Sequence, residues 1–184
     1  MRNAAVVLVV WALSLHSFAT AHDVDILLEW KQSIQDPNKR LLLWDPFQAN
    51  PCIFSGVVCL PDTTDVQMIL LPHFGLIGSI SPRFGELKHL QSLDLAWNSL
   101  HGSIPPQLGN LPALYALHLQ KNHLTGLVPK ELGQLTSLKT FYVYSNDLNG
   151  TIPVGGAMAN FQNIDIWRDN PKLCGDAINV PCLG

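Results

Sequence analysis

The chain has 184 residues, 47% of them apolar and only 14% charged. That excludes a disordered polymer and allows one domain or a short repeat array. A formal net charge of −3 argues against nucleic-acid binding, which draws on a basic face. Thirty residues are Leu, spaced rather than clumped, so internal periodicity is the first property to test.

Residues 1–21 read as a signal peptide. Arg2 supplies a short positive region, Ala4 to Leu15 form an apolar run broken only by Ser14, and Ala19-Thr20-Ala21 places small residues before a cleavage at His22. The run is about a dozen residues, short of the roughly 20 that a membrane-spanning helix needs. No other stretch reaches spanning length, so the mature chain is expected to be exported and to carry no membrane span.

Residues 22–64 are expected to form an N-terminal cap. Ile26, Trp30 and Ile34 recur every four residues beside Leu27, which makes an amphipathic stripe able to cover the open end of a repeat array. Asp36-Pro37 is expected to stop that helix. The four cysteines fit an oxidising compartment. They fall into two local pairs, Cys52 with Cys59 and Cys174 with Cys182, each closing a short loop near one end of the mature chain. A zinc site would need closer Cys-x-x-Cys or His spacing, which neither pair has.

Residues 65–153 repeat about four times with a 24-residue period. Asn98, Asn122 and Asn146 keep this spacing, as do Leu93, Leu117 and Phe141, then Leu95, Leu119 and Val143, and Leu100, Leu124 and Leu148. Gly102, Gly126 and Gly150 stay in phase, followed by Ile104, Val128 and Ile152, and Pro105, Pro129 and Pro153. An earlier copy fits more loosely, with Phe74 in place of Asn and Ser81 in place of Pro. Leu-x-Leu predicts a short strand with one face inward, and equivalent strands of successive coils pair in parallel about 4.8 Å apart. Each Asn amide is expected to bond free backbone groups of its own coil and the next, as a structural ladder. Ile-Pro should run extended. Leu-Gly-x-Leu-x-x-Leu, as at Leu108 to Leu114, suits a turn or two of 3₁₀ structure on the outer face. No single coil buries its own apolar side, so both ends need covers; residues 154–184 are expected to form the second.

This is the leucine-rich repeat pattern, and its extension L-x-G-x-I-P-x-x-L-G resembles the plant-type subclass. The resemblance implies an α/β solenoid, a right-handed coil with a parallel concave β-sheet and a disulfide cap at each end. Pro51-Cys52-x-Phe54-x-Gly56-Val57-x-Cys59 resembles the plant N-terminal cap, with Phe54 where the family often has Trp. Asn170-Pro171-x-Leu173-Cys174-Gly175 through Pro181-Cys182 resembles the C-terminal one. Together these look like the ectodomain of the somatic embryogenesis receptor kinases and the small secreted leucine-rich repeat proteins related to them. The fourth repeat departs after Pro153 into Gly155-Gly156-Ala157, and is expected to be a transition into the cap. No kinase sequence follows before Gly184, so any role is expected to be carried by binding.

No catalytic constellation, cofactor loop or metal cluster stands out. His73, His89, His101, His118 and His123 fall at outward repeat positions, and none is paired by spacing with a carboxylate. The informative residues are the variable ones expected on the concave face. By phase these are Leu70, Asp94, His118 and Tyr142; Pro72, Ala96, Gln120 and Tyr144; and His73, Trp97, Lys121 and Ser145. Trp97, Tyr142 and Tyr144 are large and not needed by the repeat, so with His73, His118 and Lys121 they are the candidate partner-binding set. Asn149-Gly150-Thr151 is an acceptor for N-linked glycosylation on the coil's flank. The resemblance implies a secreted, non-enzymatic recognition module. It would bind a receptor-kinase ectodomain or receptor complex in plant development or defence, in the extracellular space of the plant. The alternative is a secreted inhibitor of a microbial cell-wall hydrolase, as in the polygalacturonase inhibitor proteins, which have about twice as many coils.

Overall fold

The computed structural model describes residues 23–176 and 179–182. Residues 1–21, expected to be a signal peptide, lie outside them. The chain opens with helix α1 (Asp23–Ser33) and then runs through strands β1 (Val57–Cys59), β2 (Val66–Leu70), β3 (Ile77–Gly78), β4 (Ser92–Asp94), β5 (Ser99–Gly102), β6 (Ala116–His118), β7 (His123–Leu127), β8 (Thr140–Tyr142) and β9 (Asp147–Thr151). A short helix α2 (Ile164–Trp167) and strand β10 (Lys172–Cys174) follow.

The Leu-x-Leu segments form the sheet they predict. Strands β2, β4, β6 and β8 pair in parallel, with Ile69, Leu93, Leu117 and Phe141 in one register, and β1 closes the N-terminal edge antiparallel to β2. The four register residues are all buried, while Asp94, His118 and Tyr142 alternate outward. This is the α/β solenoid with a concave parallel sheet.

A second parallel sheet, in the order β10-β9-β7-β5-β3, runs along the flank through the Gly turn. The sequence foreshadows it poorly, because its strands are two to five residues long and all but β10 carry a glycine at positive φ, as at Gly102 (φ 78°) and Gly126 (φ 77°). On the outer side five-residue 3₁₀ turns stack coil upon coil, at Pro82–Glu86, Pro106–Asn110, Lys130–Gln134 and Gly156–Asn160.

The glycine in Leu-Gly-x-Leu has a reason that spacing alone did not disclose. A Cβ on Gly109 would lie 2.4 Å from the Glu131 carbonyl oxygen of the next coil, and one on Gly85 would lie 2.2 Å from that of Gln107. The coils touch backbone to backbone there. Gly109→Ala must push two coils apart. We expect a loss of about 1–2 kcal/mol, as for overpacking elsewhere, read as a lower denaturation midpoint. Unchanged stability would show that the coils can slide.

The Asn residues bind differently from expectation in one respect. Asn122 Oδ1 accepts from the Leu100 amide at 3.0 Å, while its Nδ2 donates to the carbonyls of Leu95, Leu119 and Gln120 at 3.0, 3.1 and 3.4 Å. Asn98 and Asn146 make the corresponding bonds. The second coil served is therefore the preceding one, not the next. That direction accounts for Phe74: no coil precedes the first copy, so no backbone groups there await an amide. Phe74 instead packs on the core, and its carbonyl accepts from Asn38 Nδ2 at 3.0 Å.

The pattern also extends further than the sequence suggested. Asn170, one full repeat beyond Asn146, bonds the Leu148 amide and the carbonyls of Val143, Trp167 and Arg168. The segment after Pro153 thus remains a coil. Helix α2 replaces its strand, and Trp167 fills the apolar slot that Val143 holds in the coil before.

Helix α1 buries Val24, Ile26, Leu27 and Trp30 against the first coil. It ends at Ser33, before Asp36-Pro37; Asp36 organises the next turn by accepting from the Arg40 and Leu41 amides. Trp30 Nε1 donates to the Ser79 carbonyl at 2.8 Å, and Trp44 stacks on Phe54 at 5.4 Å, so Phe serves in the aromatic place. Arg83 joins Glu29 of α1 to Glu86 of the first coil; the Glu86 carboxylate raises the guanidinium's affinity for its proton, partial burial opposes it, and Glu29 adds to the rise. The two disulfides, Cys52–Cys59 and Cys174–Cys182, lie near the two ends. One hydrophobic core runs from Val24 to Leu173 without a break between caps and coils.

Candidate protein-recognition face

The concave sheet is built from equivalent positions of successive repeats, so each outward side chain has its counterpart on the next strand about 4.8 Å away. This places together residues that lie far apart in sequence. His73 stacks on Trp97 with ring centroids 4.8 Å apart and planes at 22°. Lys121 Nζ stands 5.3 Å from the Trp97 ring and 5.9 Å from the Tyr144 ring. Arg168 lies over Tyr144 at 4.9 Å, and Tyr144 meets Tyr142 edge to face at 6.3 Å. Tyr142 in turn lies 5.2 Å from His118. The candidate residues form one ridge, His73–Trp97–Lys121–Tyr144–Arg168, with His118 and Tyr142 alongside. Trp97 is 46% exposed and Tyr142 38%.

The ridge stands on an unusual backbone. His73, Trp97, Lys121, Ser145 and Asp169 all have positive φ, between 55° and 60°. This column precedes the Asn column, or Phe74 in the first coil, and turns the chain off the sheet. A left-handed conformation costs a non-glycine residue roughly 1–2 kcal/mol. For Trp97 the coil geometry requires the turn but not the indole.

Two histidines that sequence spacing left unpaired do face carboxylates. His118 Nδ1 lies 3.7 Å from Asp94 Oδ2 and its Nε2 lies 3.2 Å from Thr140 Oγ1, while His89 Nδ1 lies 3.5 Å from Asp65 Oδ2. In both pairs the carboxylate and the histidine occupy the same position of adjacent repeats, so stacking of neighbouring coils makes the contact. Lys121 and Arg168 have no carboxylate within ion-pair distance among the described residues. Nearby Asp169 accepts from the Ser145 hydroxyl at 2.9 Å. The ridge is aromatic with two cations, on a chain whose net charge is negative.

Arg168 was missed by sequence reasoning, although a signal existed: it stands in the Tyr144 column, one repeat further on. Asn149 lies away from the ridge, half-buried in β9 of the flank sheet. Among the described residues no group of three or more His, Cys, Asp or Glu could hold a metal ion, and no helix is long and apolar enough to cross a membrane.

The family model described as leucine rich repeat N-terminal domain matches residues 20–60, and that described as leucine rich repeat matches residues 88–148. Together they take in more than half of the chain. It belongs to the plant-type leucine-rich repeat proteins. This leucine-rich repeat chain is 40% identical over 99 residues to the LRR receptor kinase SERK2 of Oryza sativa subsp. japonica, a stretch covering 53% of this chain and 16% of that protein. It is 36% identical over 81 residues to Leucine-rich repeat protein 1 of Arabidopsis thaliana, covering 44% and 37%. The chain therefore spans well under two thirds of these curated relatives. Among solved structures it is similar to the BIR2 ectodomain of Arabidopsis thaliana, with TM-score 0.64 and 28% identity, over 89% of this chain and 100% of that one. It is also similar to a chain of the BIR3–SERK2 complex from the same plant, with TM-score 0.60 and 29% identity, over 82% and 95%. The solved structures it resembles are plant leucine-rich repeat ectodomains, which do not favour the hydrolase-inhibitor reading.

Proposed function

We propose that this chain is a secreted, non-catalytic recognition module. Its concave face binds the ectodomain of a receptor kinase, or a receptor complex, in plant development or defence signalling outside the cell. The carrying observation is the continuous ridge from His73 to Arg168, in which ring and cation contacts link five successive coils. Exposed aromatics and Arg on a rigid scaffold are the residue types that dominate protein-binding energy. Similarity to the BIR3–SERK2 chain, an ectodomain solved in complex with another, supports a protein partner. The uncompensated Lys121 and Arg168 favour a partner whose contact surface is acidic.

The test is capture of receptor ectodomains from plant extracellular fluid by the immobilised chain. Charge reversal with Lys121→Glu and Arg168→Glu should slow association and weaken capture, most at low salt. Lys88→Ala and Gln134→Ala, on the outer side, should leave capture unchanged. Capture lost through the outer changes and kept through the ridge changes would move the interface elsewhere.

A further inference from the structure

The acceptor Asn149-Gly150-Thr151 lies in β9, and both sides of it are occupied. On one side Leu127 of β7 stands in register with Asn149 and is 62% exposed. A Cβ on Gly150 would fall 2.4 Å from Leu127 Cδ2, so the bare glycine lets this side chain lie across the tripeptide. On the other side is the C-terminal cap. Strand β10 pairs with β9, Lys172 opposite Asn149 and Cys174 opposite Thr151. Thr151 Oγ1 lies 3.4 Å from Cys182 Sγ and 3.9 Å from Cys174 Sγ.

We propose that N-glycosylation of Asn149 and closure of the Cys174–Cys182 cap compete for this tripeptide. The reaction needs the Asn amide and the Thr hydroxyl both free, on an extended chain that can enter an enzyme's cleft. In the closed cap that backbone is committed to β7 and β10, and the hydroxyl, although on an exposed residue, is in contact with the disulfide. The glycan is therefore added only while the cap is open. Asn149 Nδ2 bonds to the anomeric carbon of a lipid-diphosphate-linked oligosaccharide. The carbon–oxygen bond to the diphosphate breaks, the diphosphate leaves with the electron pair, and the amide nitrogen gives up one proton. Once attached, the proximal sugars lie beside Leu127 and cover its exposed apolar surface. The flank position leaves the concave ridge free. The proposal rests on export of the chain.

The test is translation of the full chain with endoplasmic-reticulum microsomes, with and without dithiothreitol. Protection from added protease reports import, and a mass shift removed by a peptide N-glycanase reports the glycan. Among protected chains, partial occupancy is expected under oxidising conditions. It should rise at least twofold with dithiothreitol and in a Cys174→Ser/Cys182→Ser double variant. The Cys52→Ser/Cys59→Ser pair should match the unmutated chain, and Asn149→Gln should show no shift. Because occupancy is read on newly imported chains, a variant that folds poorly still reports. Imported chains without a glycan, or equal occupancy with the cap open and closed, would overturn the proposal while leaving export intact. Unprotected chains would overturn export, and the proposal with it.

Discussion

Replacing Asn122 by Ala is expected to lower stability by about 1–3 kcal/mol. Its amide satisfies the Leu100 N–H and the carbonyls of Leu95, Leu119 and Gln120, in a setting where Asn122 is only 6% exposed. The Leu95, Leu119 and Gln120 carbonyls keep Asn98 Nδ2, Asn146 Nδ2 and the Trp97 N–H as donors, so the loss falls on the Leu100 N–H, and one buried donor left without a partner costs roughly 1–3 kcal/mol. For a chain of this size each kcal/mol moves Tm by about 2–4 °C, so a fall of about 3–10 °C should appear in a thermal melt. Asn170→Ala should cost less, because the terminal coil can loosen without breaking the stack. A melt of Asn122→Ala within about 2 °C of the unmutated protein, the shift of less than one kcal/mol, would show that water or a neighbouring group replaces the amide.

Replacing Trp97 by Ala is expected to weaken partner binding on the order of 100-fold, about 3 kcal/mol, with little change in folding. Trp97 stands mid-ridge between His73 and Lys121 and is 46% exposed, so its area is available to a partner and contributes little to the core. Trp97→Gly separates the two roles more sharply. Glycine adopts φ of 58° without the cost the indole-bearing residue incurs, which offsets the lost ring contacts. Its Tm should therefore equal or exceed that of Trp97→Ala, while binding is weakened as much. Titration on a biosensor against the captured ectodomain, with melts run in parallel, reads both. Unaltered affinity in both variants would remove Trp97 from the interface.

The sequence by itself determined the coil. A fixed repeat carrying Leu, Asn, Gly and Pro in step leaves no other way to bury one apolar side per turn, so the parallel sheet follows from period and polarity alone. The cap stripe through Ile26, Leu27 and Trp30, the local cysteine pairs and the outward columns were likewise legible, because each depends on neighbours within one coil. The tertiary structure decided whatever depends on how one coil meets the next. The flank sheet forms because chain leaving each Gly turn finds an identical segment beside it, although its own short strands have no alternation to announce them. The direction of the Asn bonds, toward the preceding coil, is set by coil handedness and by where the amide sits beneath the turn, and no residue type encodes it. Asp94 meets His118, and Arg168 reaches Tyr144, only because stacking turns a whole repeat of sequence separation into a step of one strand. Gly109 must be bare because the Glu131 carbonyl of another coil occupies the space its Cβ would need. Local physics was thus written in the residues, and contact between coils had to be built before its consequences could be seen.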